Sequence, residues 1–165
     1  MLGKFAMGSL VIGAGYYMLP AGTSDSLQTF AQPAETATNR IKAERRVVNG
    51  TGMGSLTIES GGRDRQALLV SVKRAGDPRR VKCRVTISPV SPAESSAEVD
   101  CTQPGVWDEP LRPVAIKAMN IVVREHVAAT IEKRPYDTDR VADRMIGLIA
   151  MNGPAIAASM NKQRE

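Results

Sequence analysis

Apolar and polar residues alternate most regularly between Val81 and Thr102. Val81, Cys83, Val85 and Ile87 interleave with Lys82, Arg84, Thr86 and Ser88, and Ala97, Val99 and Cys101 with Glu98, Asp100 and Thr102. A period of two belongs to a strand with one dry face and one wet face. Folding the chain between the two arms pairs Ile87 with Ala97, Val85 with Val99 and Cys83 with Cys101. The same register sets Arg84 opposite Asp100 on the wet face, a favourable cross-strand pair. Cysteines facing each other on neighbouring strands fall within bridging distance, so the register predicts a Cys83–Cys101 disulfide.

The pattern continues on both sides of this hairpin. Leu56 and Ile58 alternate with Thr57 and Glu59, and Leu68, Val70 and Val72 with Leu69, Ser71 and Lys73. Gly61-Gly62-Arg63-Asp64 and Ala75-Gly76-Asp77-Pro78 read as the intervening turns. Pairing across the second turn sets Val72 against Val81, Val70 against Cys83 and Leu68 against Val85, which keeps one apolar face continuous. The expected fold class is α+β: a four-stranded antiparallel meander with strands at about 55–60, 66–73, 81–88 and 96–102.

A one-faced sheet needs a cover, and the second half of the chain supplies helical periodicity. Asp108-Glu109-Pro110 is a helix start, followed by a wide apolar arc that includes Val114, Ala118, Val122 and Val127. Arg134-Pro135-Tyr136-Asp137 ends it. Thr138 or Asp139 caps a second helix whose Val141, Met145 and Leu148 face inward, and Asn152-Gly153-Pro154 stops or kinks that helix. Helices are therefore expected at about 110–133, 139–151 and 154–161, the first two covering one face of the sheet. The domain proper is placed at residues 53–161, with a polar tail at 162–165. Residues 23–52 read as a linker, partly helical from Ala34 through Arg46, with Ile41 nearly alone as an apolar anchor.

The N-terminal 22 residues change the expected compartment. Lys4 precedes an uncharged apolar run of 15 residues from Phe5 to Leu19, closed by Pro20-Ala21-Gly22. This is the form of an export signal peptide or signal-anchor lying outside the domain. The run is short for a spanning helix, which needs about 17–25 residues. The positive flank before the run places the rest of the chain outside, where a disulfide persists. The expected location is the bacterial periplasm, tethered to the inner membrane through residues 1–22, or secreted if they are cleaved.

Charge supplies the candidate chemistry. Between Arg40 and Arg84 there are twelve basic residues against four acidic, and between Val85 and Asp139 five against nine. Lys73, Arg74, Arg79, Arg80, Lys82 and Arg84 form a positive strip suited to an anionic lipid, a polyanion or an acidic protein partner. The competing reading is a solvated sheet face that discourages edge pairing. Aromatic residues make up only 4% of the chain, which argues against a base-stacking or sugar-stacking platform, and no nucleic acid partner is expected. His126 is the single histidine, the cysteines have no metal-ligand spacing, and the glycine clusters lack phosphate-loop context. No catalytic residue, metal or cofactor is expected. The function that follows is a non-enzymatic, envelope-associated accessory protein. A small secreted hydrolase or a purely structural envelope subunit are the alternatives.

Overall fold

The computed structural model describes residues 27–102 and 111–162, and the expected signal segment and the Asp108-Glu109-Pro110 helix start lie outside them. The elements run β1 (Leu27–Phe30), α1 (Ala34–Ile41), β2 (Arg45–Val48), β3 (Leu56–Asp64), β4 (Ala67–Arg74), β5 (Arg80–Ser91), β6 (Glu94–Asp100), α2 (Arg112–Ile131) and α3 (Thr138–Lys162). The strands form one antiparallel sheet in the order β1-β6-β5-β4-β3-β2, curled into a half-barrel.

The central register is the one the alternation predicts. Val72 pairs with Val81, Val70 with Cys83, Leu68 with Val85, Val85 with Val99, and Ile87 with Ala97. The disulfide joins Cys83 to Cys101 with their Cα atoms 4.1 Å apart, and both side chains are fully buried.

The sheet has six strands, not four, because residues 27–48 are not a linker. They supply both edge strands and a helix. β1 pairs with β6, placing Phe30 opposite Ser95, and β2 pairs with β3 at the other edge, placing Val48 opposite Leu56. Between them α1 packs against β5, β6 and α2. Ile41 is not an isolated anchor: Phe30, Ala37 and Ile41 all belong to the main core. The small Ala37 lets the helix approach closely, and polar bonds complete the docking. Gln32 Nε2 donates to the Ile131 carbonyl at 2.8 Å, and Arg40 donates to the same carbonyl and to Gln32 Oε1. That carbonyl belongs to the last turn of α2, where no intrahelical donor remains and a cation is favoured.

Two irregularities curl the sheet. Gly61-Gly62 is not a turn but a bulge inside β3, where two residues oppose the single Leu69 between the Ser60–Val70 and Arg63–Leu68 pairs. Gly62 has φ +84°, a conformation that strains a residue with a Cβ. The turn itself comes at Arg65-Gln66, with Arg65 at φ 57°. A second shift lies between Pro89 and Ser91 of β5. Bulges bend the strand that carries them and increase local twist.

The concave face is lined by α1 and α2, whereas the sequence assigned it to the two C-terminal helices. Every residue of α2 from Glu125 to Ile131 is buried, as in a helix surrounded by other elements. α2 ends with Lys133 at φ 54°, the Arg134 N–H bonding Ala129 O at 2.9 Å and the Lys133 N–H bonding Thr130 O at 3.3 Å. α3 rests mainly on α2, through Val141, Met145 and Leu148. Its cap is Asp137, which accepts from the Arg140 N–H at 2.9 Å, rather than Thr138 or Asp139. α3 also runs through Asn152-Gly153-Pro154 as one helix instead of stopping there. The Asn152 side chain bonds back to the Leu148 carbonyl at 2.7 Å near the site where the proline removes a backbone donor. Among the described residues no helix is long and apolar enough to cross a membrane.

Two stability measurements test this architecture. The Cys83→Ala/Cys101→Ala double variant loses about 3 kcal/mol in denaturant unfolding, the cost expected from opening a closed loop of this size (the cysteines are separated by 18 residues). Ile41→Ala loses about 2–5 kcal/mol as a core deletion, whereas an α1 that merely hung from a linker would show a loss under about 0.5 kcal/mol.

Candidate functional site

The structure divides the six predicted basic residues between two places. Lys73 pairs with Arg80, Ser71 with Lys82, and Leu69 with Arg84, so Lys73, Arg80, Lys82 and Arg84 share the outward face of β4 and β5. All four are exposed. Side chains two apart on a strand, and those opposite one another, stand close enough for their fields to sum. The face is not uniformly positive. Glu59 lies 3.9 Å from Arg80, and Asp64 lies 3.4 Å from Arg84. Arg84 is opposite Asp100 in the backbone register, as predicted. Its ion pair nevertheless goes to Asp64, because the Asp100 carboxylate is turned to the N–H of Thr102 at 2.9 Å. A depression of about 290 Å³ opens on this face beside the β3 bulge, bordered by Glu59, Leu69, Ser71, Arg80 and Lys82. Gly61 also borders it, and a Cβ there would meet nothing, so the bulge leaves open space between the flanking side chains.

Arg74 and Arg79 belong to the other place. Arg74 pairs with Leu56, which gives it the inward parity of Val72 at the last residue of β4. Arg79 lies in the β4–β5 turn and forks onto Asp77, with Nε at 3.1 Å from Oδ1 and Nη2 at 3.0 Å from Oδ2. The Asp77 carboxylate also accepts the Arg79 backbone N–H at 2.9 Å. The Arg79 side chain, then its backbone N–H, hold the Asp77 carboxyl below the usual carboxylate range. Both arginines border a pocket of about 280 Å³ at the open end of the half-barrel.

A buried polar group lies beneath the sheet. His126 is fully buried, with Nε2 3.3 Å from Ser60 Oγ. Burial, with a smaller contribution from the Arg46 charge, pushes the imidazole pKa down to about 4. The neighbouring Glu125, also buried, accepts a forked pair from Arg134 and the Asp137 N–H at 2.9 Å. This single carboxylate therefore ties the end of α2 to the start of α3. It also raises the Arg134 guanidinium pKa further above its ordinary value. Tyr136 donates to the Val122 carbonyl at 3.4 Å, and its phenol is raised by burial first and then by Glu125.

Ser60 beside His126 has the composition of a nucleophile and base, but not the surroundings. A working pair needs a substrate path and a third group orienting the far ring nitrogen. Here Ser60 is 7% exposed and His126 0%, and Nδ1 has no hydrogen-bond partner. The pair belongs to the core. A buried histidine could have been suspected from its place in the apolar arc of α2. Ser60 continues the inward parity of Leu56 and Ile58, but a serine at the end of that alternation does not announce a histidine partner 66 residues further on.

The histidine makes stability depend on pH with a definite sign. The unfolded chain takes up this proton near pH 6.5 and the folded chain near 4. Between those values the unfolded state holds more protons, so stability falls as the pH falls, by roughly 3 kcal/mol in total. Above pH 6.5 the effect is absent. His126→Gln keeps a hydrogen-bonding group near Ser60 and cannot titrate, so urea unfolding of that variant at pH 7.5 and pH 4.5 loses correspondingly less stability than the parent. An equal acid loss in both proteins rules out His126 as its source.

No protein-family model, curated protein or solved structure matches the chain.

Proposed function

We propose that this is an exported, non-enzymatic accessory protein that engages an anionic partner, such as an acidic protein surface, through the outward face of its sheet. The observation that carries the reading is the placement of Lys73, Arg80, Lys82 and Arg84 on adjacent strands of one exposed face. The helices lie on the opposite, concave side, so this face is open to a flat partner. Basic side chains on such a face attract an acidic partner over about a Debye length and fix its orientation on arrival.

Two features support export. The Cys83–Cys101 bridge is of a kind that persists in oxidising compartments. The run from Phe5 to Leu19, preceded by Lys4, has the composition of a signal or anchor. An N-terminal tether of this type holds the protein at the envelope surface, where its partner is met. Ser60 and His126, whose types would suit a hydrolase, are both closed off from substrate and so lend that alternative no support.

Charge reversal tests the role directly. In the Lys82→Glu/Arg84→Glu double variant, a partner captured by cross-linking in the native envelope falls at least about tenfold, and capture from the parent protein weakens as salt rises. Thermal unfolding of the variant stays within a few degrees of the parent, because both residues are exposed. Unchanged capture assigns the face to solvent instead.

A further inference from the structure

The pocket at the open end of the half-barrel has a chemistry distinct from the outward face. Its inner surface is made by Leu56 of β3, Val72 of β4, Val81 of β5 and Met119 of α2, with Met53 from the preceding loop. The first four are nearly buried, so the floor is apolar and already formed. The rim carries Arg74, Asp77 and Arg79. Asp77 and Arg79 are engaged with each other through three side-chain contacts and one backbone contact, which leaves the rim with one net positive charge, that of Arg74.

Glycines shape the entrance. Gly52 and Gly54 both have positive φ, at +79° and +82°. A Cβ on Gly54 would lie 3.7 Å from Arg74 Nε, in contact with the guanidinium, and Gly52 borders the pocket itself. The Ala75 N–H bonds the Ser55 carbonyl at 2.9 Å, tying this loop to the end of β4 and fixing the arginine beside the apolar floor.

An apolar floor below a single cation complements a molecule with a slim apolar tail and one anionic head. At about 280 Å³ the cavity lies at the lower end for ligand pockets, suited to one short chain rather than a two-chain lipid. We propose that this pocket binds a medium-chain carboxylate, its tail against Met53, Val72 and Met119 and its carboxylate on Arg74. A forked guanidinium–carboxylate contact supplies the orientation, and tail burial supplies most of the affinity. The site shares no residue with the outward face, so the proposal stands or falls independently of the partner interaction.

The test uses the full chain labelled with ¹³C at its methionine methyls, titrated with octanoate. Met53 and Met119 report from inside the pocket, whereas chain association elsewhere leaves their signals in place. Octanoate shifts both signals saturably at about millimolar concentration. Affinity rises about fourfold per methylene from butanoate to octanoate, the increment for one buried methylene. Acetate produces no shift, and octanol binds at least about tenfold more weakly for want of the charge. Arg74→Glu abolishes the response and Arg74→Gln weakens it about tenfold, whereas Arg84→Glu on the outer face leaves it unchanged. The proposal is overturned by an absence of saturable shift at Met53 and Met119, by an affinity independent of chain length, or by undiminished binding in both Arg74 variants.

Discussion

Each inward residue of β5 between Val81 and Val85 lies opposite an inward residue of β4, and the disulfide adds a covalent link from Cys83 to the residue that follows β6. A slip of one residue would carry both cysteines and the valines around them to the solvent side, because successive side chains on a strand alternate faces. Fixing this parity fixes the rest. The concave side takes Leu56, Ile58, Val70, Val72, Val85 and Val99 and must be covered, so α1 and α2 pack there. The convex side takes the charged partners of the same strands and remains wet. The staple thus separates a core from a surface as well as closing a loop.

Polar contacts attach the remaining elements to that core. One carbonyl, that of Ile131, accepts from both Gln32 and Arg40 and so locates α1 against the end of α2. One carboxylate, that of Glu125, receives Arg134 and the Asp137 N–H, and Asp137 in turn caps α3. Both groups are at or near a helix end, where backbone donors and acceptors lack internal partners and a buried ionic group finds compensation. His126 lies one residue along from Glu125, and burial, with a smaller contribution from the Arg46 charge, keeps it neutral in the fold.

The four central strands were legible because each carries enough alternation to set its parity, and the cysteines supplied an independent check on register. β1 and β2 were not. They are four residues each, reading Leu-Gln-Thr-Phe and Arg-Arg-Val-Val, and too few positions repeat to distinguish a strand from a linker. The helix between them has a stripe of only Ala37 and Ile41, and its docking depends on Gln32 and Arg40, residues whose long-range partners no periodicity announces. The cover of the sheet was therefore misassigned to α3. The alternation placed Lys73, Lys82 and Arg84 on the wet face and left Arg74, Arg79 and Arg80 together at the turn; the fold adds Arg80 to the outward face, whereas Arg74 falls on the inward side and borders an apolar pocket. That pocket combines β3, β4, β5, a glycine loop and α2, an assembly that only the curled sheet brings together.

The strand order also constrains how the chain can reach this state. β1 and β2 are close in sequence yet occupy opposite edges, and β1 has no partner until β6 exists. Gln32 must wait for a carbonyl 99 residues further on. Contacts of such long sequence separation form late, after the entropy of closing the intervening chain has been overcome. The central strands can fold as a local meander, but β1, though early in the chain, is among the last elements to settle. During that interval the β6 edge of the meander is bare and able to pair with other chains, whereas β2 can cover β3 through a short loop. One border of the sheet is thus guarded by a local hairpin, and the other only when the chain closes back on itself.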